Sequence, residues 1–85
     1  MSEAETYVAL TRLFQQVFDD DTITIRPETT ADDIPGWDSQ AHITLVVATE
    51  VHFDITFRTA EVESLRNVAE LVQLIELKRN GARPQ

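Results

Sequence analysis

The chain has 85 residues, 42% of them hydrophobic and 26% charged, with two Gly, three Pro, no Cys and a formal net charge of −8. That balance describes one small globular domain, and the missing cysteines exclude disulfide staples, thiolate nucleophiles and thiolate metal sites. The excess of carboxylates argues against nucleic acid and anionic membranes, which are bound by clustered Lys and Arg, and suits protein partners that carry a basic patch.

Ser2 to Phe18 reads as an amphipathic helix, with Ser2 as cap and Glu5 completing a capping-box pattern. Leu10, Leu13, Phe14, Val17 and Phe18 fall at helical spacing on one stripe, which Tyr7 extends. Asp19-Asp20-Asp21 ends the pattern. These carboxylates lack the alternating ligand spacing and turn glycine of a calcium loop, so a solvated turn is expected and no metal site. Thr22 to Pro35 has no helical periodicity, and Ile23, Ile25 and Ile34 are the residues that would pin this long loop to the core.

Gly36-Trp37-Asp38-Ser39-Gln40 comes next, ahead of the most apolar stretch, Ala41 to Val51. Pro35 pushes Ile34 away from helical backbone and Gly36 permits a turn, so a helix is expected from Ser39 to about Phe53. Alone, the pentapeptide reads first as an ordinary helix cap, Asp and Ser being preferred there. A hydroxyl at that position also lies where open N–H groups and the helix dipole favour a negatively charged substituent. Ile43, Val46, Val47 and Val51 form one apolar stripe and Ala41, Leu45 and Ala48 a second. So wide an arc implies a central helix covered by several neighbours, with Val46→Asp expected to unfold the domain. Gln40, His42, Thr49, Glu50 and His52 are left to face water.

Asp54-Ile55-Thr56-Phe57 reads as an extended link, and Thr59 to Glu63 as a short helix capped by Thr59. The last helix begins at Asn67 with Glu70 at the capping-box position, buries Val68, Leu71, Val72 and Ile75, and ends at Asn80-Gly81. The expected organisation is all-α: a small four-helix bundle over residues 1–80, with a long loop between helices 1 and 2, a short third helix and a frayed tail at 81–85. No stretch reaches the roughly 18 apolar residues of a membrane span and no basic-then-apolar leader opens the chain. A cytoplasmic monomer without stable membrane insertion is therefore expected. Nine of the fifteen acids lie in residues 1–40 against two of the seven bases, so the first half carries most of the negative charge.

In this order of parts, from about Tyr7 to Lys78, the chain resembles the acyl carrier protein family. The features are the acidic loop, the Gly-x-Asp-Ser motif at Gly36 to Ser39 opening an apolar second helix, and Glu50-x-x-Phe53-Asp54-Ile55 closing it. The short third helix and the Val- and Leu-striped fourth complete the pattern. The combination outweighs the cap-only reading of Ser39. It implies a four-helix bundle, no catalysis of its own, and 4′-phosphopantetheine attached covalently to Ser39 from coenzyme A by a phosphopantetheinyl transferase. The Ser39 hydroxyl attacks phosphorus, while the transferase supplies base and metal. The arm's thiol then carries acyl groups as thioesters.

Asp38 matches the acid before the modified serine, and Trp37, Gln40 and Glu50 fall at positions that meet partner enzymes. Those partners are the transferase and the acyl-loading and acyl-transferring enzymes with basic docking patches. Two departures bear on them: Gln40 stands where the family usually has Leu, and Glu50 is the single acid from Gln40 to His52. They favour a specialised stand-alone carrier in a fatty-acid, polyketide or related pathway over the general carrier of primary fatty-acid synthesis. Trp37-Asp38, in place of Gly-Gly, favours acyl over aminoacyl or D-alanyl cargo. Two other classes stay open. Gln40 favours an unmodified helical docking module. An enzyme would need His42 and His52, which ten residues of helix set about 80° apart at ~100° per residue.

Overall fold

The computed structural model describes residues 3–81, with side chains through residue 79. The Ser2 cap and residues 82–85 of the expected tail lie outside the described residues, whereas Gly81, expected in that tail, is the last residue of α4. Four α-helices succeed one another: α1 (Glu3–Val17), α2 (Ser39–Phe53), the one-turn α3 (Thr59–Glu63) and α4 (Val68–Gly81). No strand occurs among the described residues.

α1 buries the stripe its spacing predicts: Leu10, Leu13 and Phe14 are sealed, with Tyr7, Val17 and Phe18 packed at the edges. It packs against both α2 and α4, so α1 is the middle helix of the bundle rather than α2. α4 contributes Val68, Leu71, Val72 and Ile75, the four residues expected. Buried Thr6 reaches across from α1 to donate to Glu76 Oε1 of α4 at 3.1 Å.

The α1–α2 loop is pinned as its isoleucines suggest, Ile34 being buried and Ile23 and Ile25 packed against the core. Its backbone also serves α4. The Thr29 and Pro27 carbonyls accept the Val68 and Ala69 N–H groups at 2.9 Å each, satisfying donors that a helix start leaves open. One feature was not expected from the pattern: Ala31–Asp33 forms a single turn of 3-10 helix, with the Asp33 carboxylate accepting the Thr30 N–H at 2.9 Å. Asp20 closes the acidic turn on itself by accepting from both the N–H and the hydroxyl of Thr22.

α2 has the expected bounds but a different buried face. Leu45, Thr49 and Phe53 are sealed, whereas Ile43, Val47 and Val51 are 64%, 52% and 78% exposed. The stripe expected through Ile43, Val47 and Val51 is therefore the open face, and Leu45 rather than half-buried Val46 is the core residue. Thr49, expected in water, is fully buried because its hydroxyl donates to the Leu45 carbonyl one turn back at 2.7 Å, so it enters the core satisfied. Composition could not separate the faces because β-branched residues lie all round this helix.

α2 ends on Asp54, whose φ of 56° is left-handed, and the Asp54 and Ile55 N–H groups both return to the Glu50 carbonyl. α3 is capped one residue earlier than expected. Arg58 is the cap, its N–H donating to Glu61 Oε1 at 2.8 Å. The same carboxylate oxygen pairs with Lys78 Nζ of α4 at 2.9 Å, and this bridge ties α3 to the bundle. Asn67 caps α4 as expected, accepting the Glu70 N–H at 2.9 Å. Glu70 itself reaches back to the Arg66 N–H at 2.6 Å, one residue beyond the usual capping-box partner.

Candidate functional site

The stretch before α2 is shaped by three local devices. Gly36 sits at φ +87°, a backbone that L side chains rarely adopt; a Cβ there would find room, with Phe18 Cδ1 at 4.0 Å, so the demand is for the angle and not for space. Asp38 is the extended cap residue, its Oδ1 accepting the Ala41 N–H at 2.9 Å while its carbonyl accepts from His42. Ser39 is thereby the first residue of α2, exposed, and its hydroxyl makes no hydrogen bond among the described residues. The N–H groups of Ser39 and Gln40 precede any acceptor within the helix, so the positive end of the helix dipole opens beside this hydroxyl.

Trp37 anchors this start of α2 to the core. Its ring meets Phe14 edge-on with centroids 5.1 Å apart and an 82° interplanar angle, and Phe18 lies 6.1 Å away. Its Nε1–H donates to Nδ1 of His42 at 3.1 Å. His42 is accordingly half-buried rather than facing water as expected. Sequence reasoning missed this pairing. The signals for it were a His one turn beyond Ser39 and an indole five residues before it.

An open cleft of about 840 Å³ is lined by residues of α2, α3 and the start of α4, with Ser39 among them. Ile43, Val46 and Val47 form its α2 wall, and Phe57, Val62 and Leu71 face them. Glu50 also lines it, half-buried, its Oε2 accepting the Phe57 N–H at 2.7 Å and so pinning the α2–α3 link. Gln40 is exposed at the second position of α2. Trp37, Asp38, Ser39 and Glu50 thus border one cleft, with Gln40 beside it. His52 is elsewhere, exposed and packed edge-on against Phe53 at 4.8 Å, so the two histidines have different neighbours. No cluster of three potential metal ligands occurs among the described residues.

The geometry defines a class: a small acidic helix bundle that presents a free serine hydroxyl on the lining of a mostly apolar cleft. Comparison with known family profiles and with curated proteins finds no match. Among solved structures, the chain is similar to the holo acyl carrier protein of Geobacter metallireducens, at 44% identity over 94% of each chain with a TM-score of 0.84. The chain belongs to the acyl carrier protein family. That membership supports a general carrier role.

Proposed function

We propose that Ser39 bears 4′-phosphopantetheine and that the chain carries acyl intermediates as thioesters on that arm. The observation that carries this reading is the Ser39 side chain: exposed, unbonded, at the first position of α2 and on the lining of the apolar cleft. The similar Geobacter protein is a holo form. The residues present fit such a group. Open helix N–H groups favour its phosphodiester, and the aliphatic walls of the cleft offer an apolar surface to the cargo.

In the modification step the Ser39 oxygen forms a bond to the β-phosphorus of coenzyme A, and the bond from that phosphorus to the bridging oxygen breaks. Adenosine 3′,5′-bisphosphate leaves, and the serine proton goes to a base of the transferase. Asp38 contributes by holding the start of α2, its carboxylate being bonded to the Ala41 N–H.

The chemistry of the partners is set by how the surface is divided. On α2 the exposed residues Gln40, Ile43, Val47 and Val51 are uncharged, and Glu50 is engaged by the Phe57 N–H. Exposed carboxylates instead gather in the loop before it, at Asp19, Asp20, Asp21, Glu28, Asp32, Asp33 and Asp38. Basic patches on the transferase and on acyl-loading enzymes would meet this loop, leaving Gln40 and the apolar row of α2 to select among them. Fatty-acid, polyketide and related specialised pathways all use such a carrier, and Trp37-Asp38 ahead of the serine favours acyl cargo over aminoacyl or D-alanyl cargo.

The test is intact mass after incubation with coenzyme A and a broad-specificity transferase. One phosphopantetheinyl group should appear on the wild-type chain and none on Ser39→Ala. No gain with several transferases would leave an unmodified docking module as the better account.

A further inference from the structure

We propose that His42 is a positioning residue for the group carried on Ser39: Trp37 fixes its tautomer so that Nε2–H donates to the phosphodiester linking the arm to the serine. The inference rests on the reading of Ser39 given above and deepens it.

The first support is the Trp37–His42 hydrogen bond. The indole Nε1–H donates to His42 Nδ1 at 3.1 Å. A neutral imidazole that accepts at Nδ1 carries its proton on Nε2, and the hydrogen bond at one ring nitrogen decides the state of the other. The second is that Trp37 is itself held. Its edge contact at 5.1 Å is with Phe14, a fully buried residue, so the donor has a fixed place relative to the core. A donor free to rotate away would not select a tautomer.

The third support is placement. Ser39 and His42 stand three residues apart on α2 and line the same cleft. Side chains at that spacing are neighbours, with Cβ atoms about 5–6 Å apart. Helical side chains also lean towards the N-terminus, which carries the imidazole over the turn that Ser39 opens. The Nε2 of His42 has no hydrogen-bond partner among the described residues, and no buried side-chain nitrogen or oxygen among them lacks one, so this donor is accessible at the cleft. Asp38, the carboxylate nearest in sequence, has its Oδ1 turned onto the Ala41 N–H. An N–H bond to an anionic phosphodiester is charge-assisted and stronger than one between neutral groups. It would hold the first link of the arm against α2, where Ile43, Val46 and Val47 offer an apolar wall to the remainder.

The experiment uses ¹⁵N-labelled full-length protein at about pH 8, above the ordinary imidazole value, before and after loading with coenzyme A and a transferase. Intact mass verifies the loading. Before loading, the imidazole nitrogens of His42 should report the Nε2–H tautomer, and Trp37→Phe should mix the two tautomers. After loading, exchange of the Nε2 proton with water should slow by about tenfold, the scale of one hydrogen bond to a charged group. The ³¹P resonance of the phosphodiester should move in His42→Phe and return in His42→Gln, which restores a donor.

An Nδ1–H tautomer before loading overturns the inference. So does a loaded protein with unchanged proton exchange and one ³¹P position in wild type and His42→Phe. If His42→Phe loses its helical circular dichroism, Trp37→Phe supplies the same ³¹P comparison and decides. Absence of any mass gain in the wild type overturns the reading of Ser39 and this inference with it, whereas a gain with an unmoved His42 overturns the inference alone.

Discussion

The reassigned face of α2 makes its sharpest prediction at Leu45 and Val51, two aliphatic residues on one helix that the structure places oppositely. Leu45 is 1% exposed and Val51 78%. Leu45→Ala deletes three carbons from a sealed position, and at about 0.8 kcal/mol per buried methylene the transfer cost alone is about 2.4 kcal/mol. Incomplete collapse around the vacated volume raises this to roughly 3–4 kcal/mol. A domain of this length has a total stability of roughly 4–13 kcal/mol. The substitution therefore removes a large part of it and lowers Tm by about 12–32 °C. Val51→Ala deletes two carbons already in water and gains helix propensity, so its effect should lie within about 0.5 kcal/mol of zero. Urea unfolding followed by helical circular dichroism measures both, with a common slope as the check that the two-state description holds. Equal losses for the two variants, or less than about 1 kcal/mol for Leu45→Ala, would show that the buried face has been placed wrongly.

Local geometry sets three further outcomes. Gly36→Ala forces an L side chain to φ +87° in open space, so it should cost about 1–2 kcal/mol in urea unfolding through backbone strain alone. Asp54→Gly relieves a left-handed C-cap at φ 56° and should raise urea stability by up to about 1 kcal/mol, whereas a loss would mean that the Asp side chain has a partner of its own. The bond from Lys78, followed by that from the Arg58 N–H, holds the Glu61 carboxyl below its ordinary value of 4.5. A depressed folded-state value contributes stability that is complete above the unfolded value and is lost as pH falls through the folded one. The α3–α4 tie should therefore weaken only below about pH 4.5, and Glu61→Gln should flatten that part of the acid unfolding profile.

The legible parts of the chain were those in which a local signal sufficed. A cap at Asp38 or Ser39, Asn67 at the start of α4 and a turn at Gly36 are properties of short segments; the structure gives the cap to Asp38, keeps Asn67 as a cap and puts Gly36 in a left-handed turn. The stripes of α1 and α4 were legible because their other faces are mostly polar, exposed Val8 and Leu77 being exceptions. α2 was not. Its bounds were plain, but apolar residues surround it, so the pattern could not say which of them met α1. The choice of Thr49 over Val47 for the interior depends on a hydroxyl satisfying itself on the helix backbone, which no hydrophobicity count registers. The 3-10 turn at 31–33 was hidden in a stretch without periodicity, because three residues are too few to show one.

The candidate site divides along the same line. Ser39, Asp38 and Gly36 could be read from four adjacent letters, whereas His42 acquires its place only when Trp37 is laid against Phe14 and Phe18. Trp37 is therefore more than a neighbour of the serine. The aromatic contacts that seat it in the bundle also orient its N–H towards the first turn of α2. A change at Phe14 is thus felt in the core and, through one indole, at the imidazole one turn from Ser39. Fold and site share a residue here. The wide apolar arc of α2 has the same double use: Leu45 and Phe53 belong to the interior, while Ile43 and Val47 line the cleft that Ser39 also borders. A helix with a single narrow stripe could bury itself but would have no apolar surface left for the cleft.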